Sequence, residues 1–153
     1  MPGLAAGLRA TVRAVVTSAD TAEAMGSGNL PVLATPRLLA LAEAATVAAV
    51  APQLADGLTT VGTAVSLEHR KASPLGAEIV VEAELTEVDG RRLVFGFIAR
   101  PAGTDAGGTD AVGVDAVGTD AVGTDAGVVV GAGTVERVVV DGARFLARTL
   151  SSP

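Results

Sequence analysis

Apolar and polar residues alternate from near the start of the chain. Leu8, Ala10, Val12, Ala14 and Val16 interleave with Arg9, Thr11, Arg13, Val15 and Thr17, the two-residue period of a half-buried strand. A Gly- and Ser-containing loop, Met25 to Leu30, leads into Pro31-Val-Leu-Ala-Thr-Pro36. Thr35 followed by Pro36 is a helix start, a capping hydroxyl and then proline at the first helical position. The helix runs over about 36–51 and Pro52 stops it; between Leu38 and Ala51 only Glu43 and Thr46 are polar. Three strands follow, at about 59–71, 77–88 and 91–100. The last two are joined at Asp89-Gly90, a strong hairpin signal. A final strand over about 128–140 and a short tail complete the chain.

A helix that is apolar nearly all round needs burial on most of its sides. An antiparallel sheet curled around one long central helix meets that need. This α+β architecture is the hotdog fold. A split β-α-β arrangement would require a second crossover helix, and the pattern has none. At 153 residues the chain fits a single domain, 1–153, with a core of its own.

One segment breaks the pattern. Gly103 to Gly127 is five consecutive pentads, GTDAG, GTDAV, GVDAV, GTDAV and GTDAG, and with Pro101 and Ala102 it forms a low-complexity acidic insertion at 101–127. The pentads hold five of the 17 acidic residues and no basic ones, so the remaining chain has 12 acidic against 11 basic residues. The net charge of -6 therefore belongs mostly to the repeat. Calcium loops of the EF-hand type need denser acidic spacing and a closing Glu, and calcium-binding β-helices repeat every nine residues. The composition predicts a solvated, flexible surface loop instead.

Composition narrows the function. Three Phe and no Tyr or Trp leave few platforms for stacking bases, and the negative charge opposes phosphate. Nucleic acid is not an expected partner. With no cysteine there are no thiolate ligands, and one His excludes a His-cluster metal site within a single chain. Arg9 and Arg13 interrupt what would be the apolar core of a signal peptide, which points to the cytoplasm. The longest apolar stretch, Leu38 to Pro52, is 15 residues with Glu43 and Thr46 inside it, too short and too polar to span a bilayer.

Three residues could carry chemistry. Glu43 sits in an otherwise apolar helix, as a functional carboxylate or as a Glu at a solvent-facing gap or a dimer seam. Thr35 is a helix cap, or a hydroxyl beside unsatisfied N–H groups where an oxyanion could develop. His69, by strict alternation, shares a face with Val61, Thr63, Val65 and Leu67. It is a packed core histidine, or an acid or base if a carboxylate lies near. Gly62 permits close backbone approach or a bulge, which would change that parity.

The stretches GSGNLPVLATPRLLALAEAA, TTVGTAVSLEHRKASPLGAEIVVEAEL, EVDGRRLVF and GAGTVERVVVDGARF resemble the fluoroacetyl-CoA thioesterase-like family of hotdog proteins. The likeness covers nearly all of the chain outside the pentads. Its most specific element is Thr35, Glu43 eight residues on, and Gly62 with His69 seven residues later. The resemblance implies an acyl-CoA thioesterase in which Thr35, Glu43 and His69 are catalytic, Gly62 lies beside the substrate and Arg137 lies near the active site. It implies a homodimer, no metal, and CoA only as part of the substrate. Arg70, Lys71 and Arg137 are candidates to meet the CoA phosphates. A non-catalytic acyl-CoA-binding module is the alternative, whereas the Asp/His dyad typical of hotdog hydratases is missing.

Overall fold

The computed structural model describes residues 3–103 and 127–151. Strand β1 (Arg9–Val15) leads through a 3-10 turn (Ser18–Asp20) and a one-turn helix α1 (Ala22–Met25) to the long helix α2 (Thr35–Val50). Strands β2 (Leu58–His69), β3 (Glu78–Asp89), β4 (Arg92–Pro101) and β5 (Gly131–Asp141) follow, and helix α3 (Gly142–Ser151) ends the described chain. The strands form one antiparallel sheet in the order β1-β3-β4-β5-β2. Asp89 pairs with Arg92 across the β3–β4 hairpin, and Gly90 takes the left-handed φ of 62° that this tight turn requires.

Helix α2 packs chiefly on β1 and β3. Leu38, Leu41, Ala42, Ala45 and Val50 are buried against Ile79, Val81, Ala83 and Leu85 of β3 and Leu93, Phe95 and Ala99 of β4. Burial alternates over Glu78–Leu85 of β3 and Arg92–Ala99 of β4, so their inner residues form one apolar surface beneath the helix. The one-helix, antiparallel-sheet plan expected from the sequence is the plan observed.

Four local features differ from the sequence expectation. Helix α2 starts one residue early: Ala34 is the N-cap and Pro36 lies in the second helical position. No side chain caps this end, so the Thr35 hydroxyl is free for a partner elsewhere. The helix is also less enclosed than its composition suggests, because Pro36, Ala40, Ala44, Val47 and Ala48 remain exposed along one side. The segment before it is a structured strap: Thr21 caps α1, Thr21 bridges Leu33, and Val32 bridges Pro74. Finally, the expected short tail is helix α3, whose first turn is held by the Asp141 carboxylate accepting from the Arg144 N–H at 2.9 Å. No residue of α3 is buried, so its missing apolar weight hid it from a reading that looked for core helices.

Strands β4 and β5 are adjacent and antiparallel, paired from Arg92↔Val138 to Ala99↔Gly131. The pentads thus join two neighbouring strands. Their expected solvation and flexibility concern residues 104–126, which lie outside the described residues. Replacing 103–127 with a short turn removes about 1.5 kcal/mol of closure entropy by shortening the connection from ~27 to ~5 residues. The melting temperature of the deletion variant, followed by circular dichroism, should be unchanged or slightly higher than that of the full chain. A large loss would mean that the pentads contribute packing.

Candidate active site

The site residues fall into two pairs along helix α2. At its N-terminal end the Thr35 Oγ1 and His69 Nδ1 are 2.8 Å apart. Thr35 reaches the ring because its hydroxyl is not spent on a cap. His69 ends β2, where Arg70 and Lys71 N–H groups both donate to the Val130 carbonyl and turn the chain away from the sheet. The His69 Nε2 is buried and has no hydrogen-bond partner. Desolvation holds the imidazole below its ordinary value of 6.5, with the backbone of Lys71 acting in the opposite direction. The neutral ring is therefore the resting form at neutral pH, able to accept at one nitrogen and donate at the other.

The second pair lies two turns further along the helix. The Arg137 Nη1 donates to Glu43 Oε2 at 3.1 Å. The Arg137 side chain is only 8% exposed, while that of Glu43 is 38% exposed. The carboxylate is thus neither isolated in the core nor fully solvated: one edge meets a buried guanidinium and the other is open. Thr60 fixes that guanidinium, its Oγ1 accepting from Nε at 2.8 Å and its carbonyl from Nη2 at 3.1 Å.

Gly62 makes the Glu43 position possible. A Cβ at Gly62 would stand 2.5 Å from Glu43 Oε2 and 3.4 Å from Arg137 Nη1, so any side chain there would displace the carboxylate. Beyond Gly62 the ladder slips: Gly62 pairs with Arg137 but Ala64 with Glu136, leaving Thr63 as a bulge. The extra residue changes the parity of the strand. Val65, Leu67 and His69 pair with Val135, Gly133 and Gly131, on the face that Thr60 and Gly62 occupy before the bulge. Val61 and Thr63 therefore do not share the His69 face, contrary to strict alternation, and the bulge is what brings both Gly62 and His69 to the helix side.

Thr35 and Glu43 stand eight residues apart on one helix, about 12 Å along its axis. A single chain brings Thr35 to His69, and Glu43 to Gly62 and Arg137, but keeps the two pairs separate. A cavity of about 260 Å³ opens at the first pair, between Ala22, Ser27 and Val32 of the strap and Thr35, His69 and Lys71. Arg70 turns its guanidinium to the neighbouring Glu68, 2.9 Å away. Sequence reasoning missed Thr60, although its place two residues before Gly62 on the same strand face was a usable signal. It also missed Asp20, whose carboxylate accepts from Arg37 Nε at 2.9 Å and from the Thr17 N–H and hydroxyl, both at 2.8 Å. This ties the strap to α2, and no local pattern announced it. Among the described residues no three His, Cys, Asp or Glu groups cluster as a metal site, and no helix is long and apolar enough to cross a membrane.

An antiparallel sheet of this order packed on one long helix is the hotdog fold that solved thioesterases share. The family model for fluoroacetyl-CoA-specific thioesterase matches residues 16–109, and the chain belongs to that family. It is 45% identical over 62 residues to the fluoroacetyl-CoA thioesterase of Streptantibioticus cattleyicolor, a match covering 40% of this chain and 45% of that protein. The matched segment thus spans less than half the length of that curated relative. The fold is similar to a threonine-to-serine variant of the fluoroacetyl-CoA thioesterase FlK in complex with acetyl-CoA, at a TM-score of 0.76 and 29% identity over 98% of this chain and 100% of that one. A Thermus thermophilus hypothetical protein, a thioesterase superfamily member, shares the fold at a TM-score of 0.75 and 22% identity, over 98% and 93% of the two chains.

The depressed affinity of His69 for protons has a stability consequence. As pH falls through 6.5 the unfolded chain takes up a proton that the folded state resists. The melting temperature should therefore decline below that pH and level off once the folded ring also protonates. His69→Gln should remove this part of the profile, as measured by thermal denaturation across pH ~7.5 to ~5. An unchanged profile in the variant would show that His69 is not the desolvated group described.

Proposed function

We propose that the protein hydrolyses a small acyl-CoA thioester to a carboxylate and free CoA, with Thr35, Glu43 and His69 as its catalytic residues. The observation that carries this reading is the Glu43 carboxylate, held against the glycine backbone of β2 by a buried arginine and open on its other side. Family membership supports the reaction class, and the acetyl-CoA held by the FlK variant supports a short acyl group. In the reaction an oxygen–carbon bond forms at the thioester carbonyl and the carbon–sulfur bond breaks. Glu43 either takes the proton from the attacking water or attacks the carbonyl itself, with water then releasing the acyl group. The proton released from the water passes through His69, which accepts at one nitrogen as it donates at the other, to the departing CoA sulfur. The Thr35 hydroxyl assists as partner to the ring or as donor to the oxyanion, whose formation sets the barrier. Gly62 and Arg137 flank the acyl-CoA, and no metal or separate cofactor takes part. The enzyme acts in the cytoplasm.

The reading includes a homodimer in which each site is shared. The exposed apolar side of α2, Pro36, Ala40, Ala44 and Val47, suits a second copy of the same helix running antiparallel. A two-fold axis there would set Thr35 and His69 of one subunit facing Glu43 of the partner subunit. That arrangement supplies the common point that one chain lacks.

Release of free thiol from a panel of acyl-CoAs, read with a thiol-reactive dye, tests the activity. Glu43→Gln should fold normally by circular dichroism and lose turnover by orders of magnitude. His69→Ala should lose ~10²–10⁴-fold, the usual contribution of a positioned proton-transfer group, and Thr35→Ser should be mild. Near-normal turnover by folded Glu43→Gln would remove Glu43 from the mechanism and favour a binding module. The shared site has its own test. Glu43→Gln and His69→Ala chains, each inactive, should regain measurable turnover when unfolded and refolded together, because a mixed dimer holds one intact site. No recovery in a mixture shown to contain mixed dimers would place each site within one chain.

A further inference from the structure

Thr60 takes no part in the proposed reaction, yet it is 8% exposed and two of its atoms bind the same guanidinium. It rests on the proposed function that Glu43 is the reacting carboxylate; given this, we infer that Thr60 is a positioning residue for the chemistry, acting on Glu43 through Arg137. A guanidinium is planar and its five N–H groups form a rigid fork. Two bonds to one residue, from Nε to the Thr60 hydroxyl and from Nη2 to the Thr60 carbonyl, fix the orientation of that plane. With the plane fixed, Nη1 points to one place, and Glu43 Oε2 occupies it at 3.1 Å.

The carbonyl alone cannot do this. A single bond at Nη2 leaves the plane free to swing about it, whereas the hydroxyl supplies the second fixed point. The Glu43 side chain is long and 38% exposed, so it depends on Arg137 to stay over Gly62 instead of swinging into solvent. The position is also specific in kind. Thr60 and Gly62 lie two residues apart on β2 before the bulge at Thr63, opposite Val139 and Arg137 of β5. One short stretch of β2 thereby both admits the carboxylate and aims the group that holds it.

A merely structural threonine and a positioning threonine predict different results. Thr60→Val preserves shape and the backbone carbonyl but removes the hydroxyl acceptor. In the full-length protein, kcat for the acyl-CoA that wild type turns over fastest should fall about 10–100-fold, the range known for residues that orient the ligands of a metal, with KM unchanged. Thr60→Ser, which keeps the acceptor, should restore kcat. In a Glu43→Gln background Thr60→Val should cause no further fall, since its target is already gone. If Thr60→Val does not fold, Thr60→Ala serves for the same comparison with Thr60→Ser. Wild-type kcat in a folded variant lacking the hydroxyl would overturn the inference, as would an equal loss in Thr60→Ser or an undiminished effect on top of Glu43→Gln. Near-normal turnover by Glu43→Gln itself would instead overturn the proposed function, so the two failures are distinguishable.

Discussion

One helix is too narrow to cover five strands. Strands in a sheet lie about 4.8 Å apart, so five of them are about 19 Å across, while a helix with its side chains is only ~10–12 Å wide. Helix α2 lies over the β1 and β3 side, where its apolar residues meet the buried inner residues of β3 and β4. The inner face of β5 is still buried at Val135, Arg137 and Val139, whereas β2 is mostly uncovered beyond Thr60, and the polar residues of the site stand along that boundary. Burial secures the fold from β1 to β5 and leaves the β2 edge for chemistry.

A buried cation at the boundary has to be accounted for. Removing a guanidinium from water costs several kcal/mol unless its donors are met. Thr60 and Glu43 meet them on three of the Arg137 nitrogens. The need runs both ways: the arginine requires acceptors, and the carboxylate requires a fixed donor to stay beside the β2 backbone. Each group is placed by the other's demand, and Gly62 supplies the space in which they meet.

Much of this was legible in the sequence. The strands declared themselves through alternation, the central helix through its unbroken apolar run, and the β3–β4 turn through Asp89-Gly90, because each is a local signal that survives without tertiary context. Thr35, Glu43 and His69 were legible as polar residues in apolar settings. The errors had a common physical origin. Thr35 looked like a cap because local sequence cannot show that a histidine 34 residues away competes for its hydroxyl. Gly62 signalled that a bulge was possible, but Gly62, Thr63 and Ala64 carry too little apolar contrast to show that the face does change there. The strap is held by an ion pair and backbone bonds between distant residues, and α3 covers no core, so neither writes the periodic pattern that identifies a buried element.

Gly62 sets a limit on how far this protein can be stabilised. Glycine within a strand costs roughly 0.5–1 kcal/mol relative to alanine, and a survey for improving substitutions would choose this position early. Yet a methyl group there would occupy the space of the Glu43 carboxylate. A robust variant obtained at Gly62 would be a folded sheet with its carboxylate turned out of place. Engineering for heat tolerance has safer ground in α3, none of whose residues is buried.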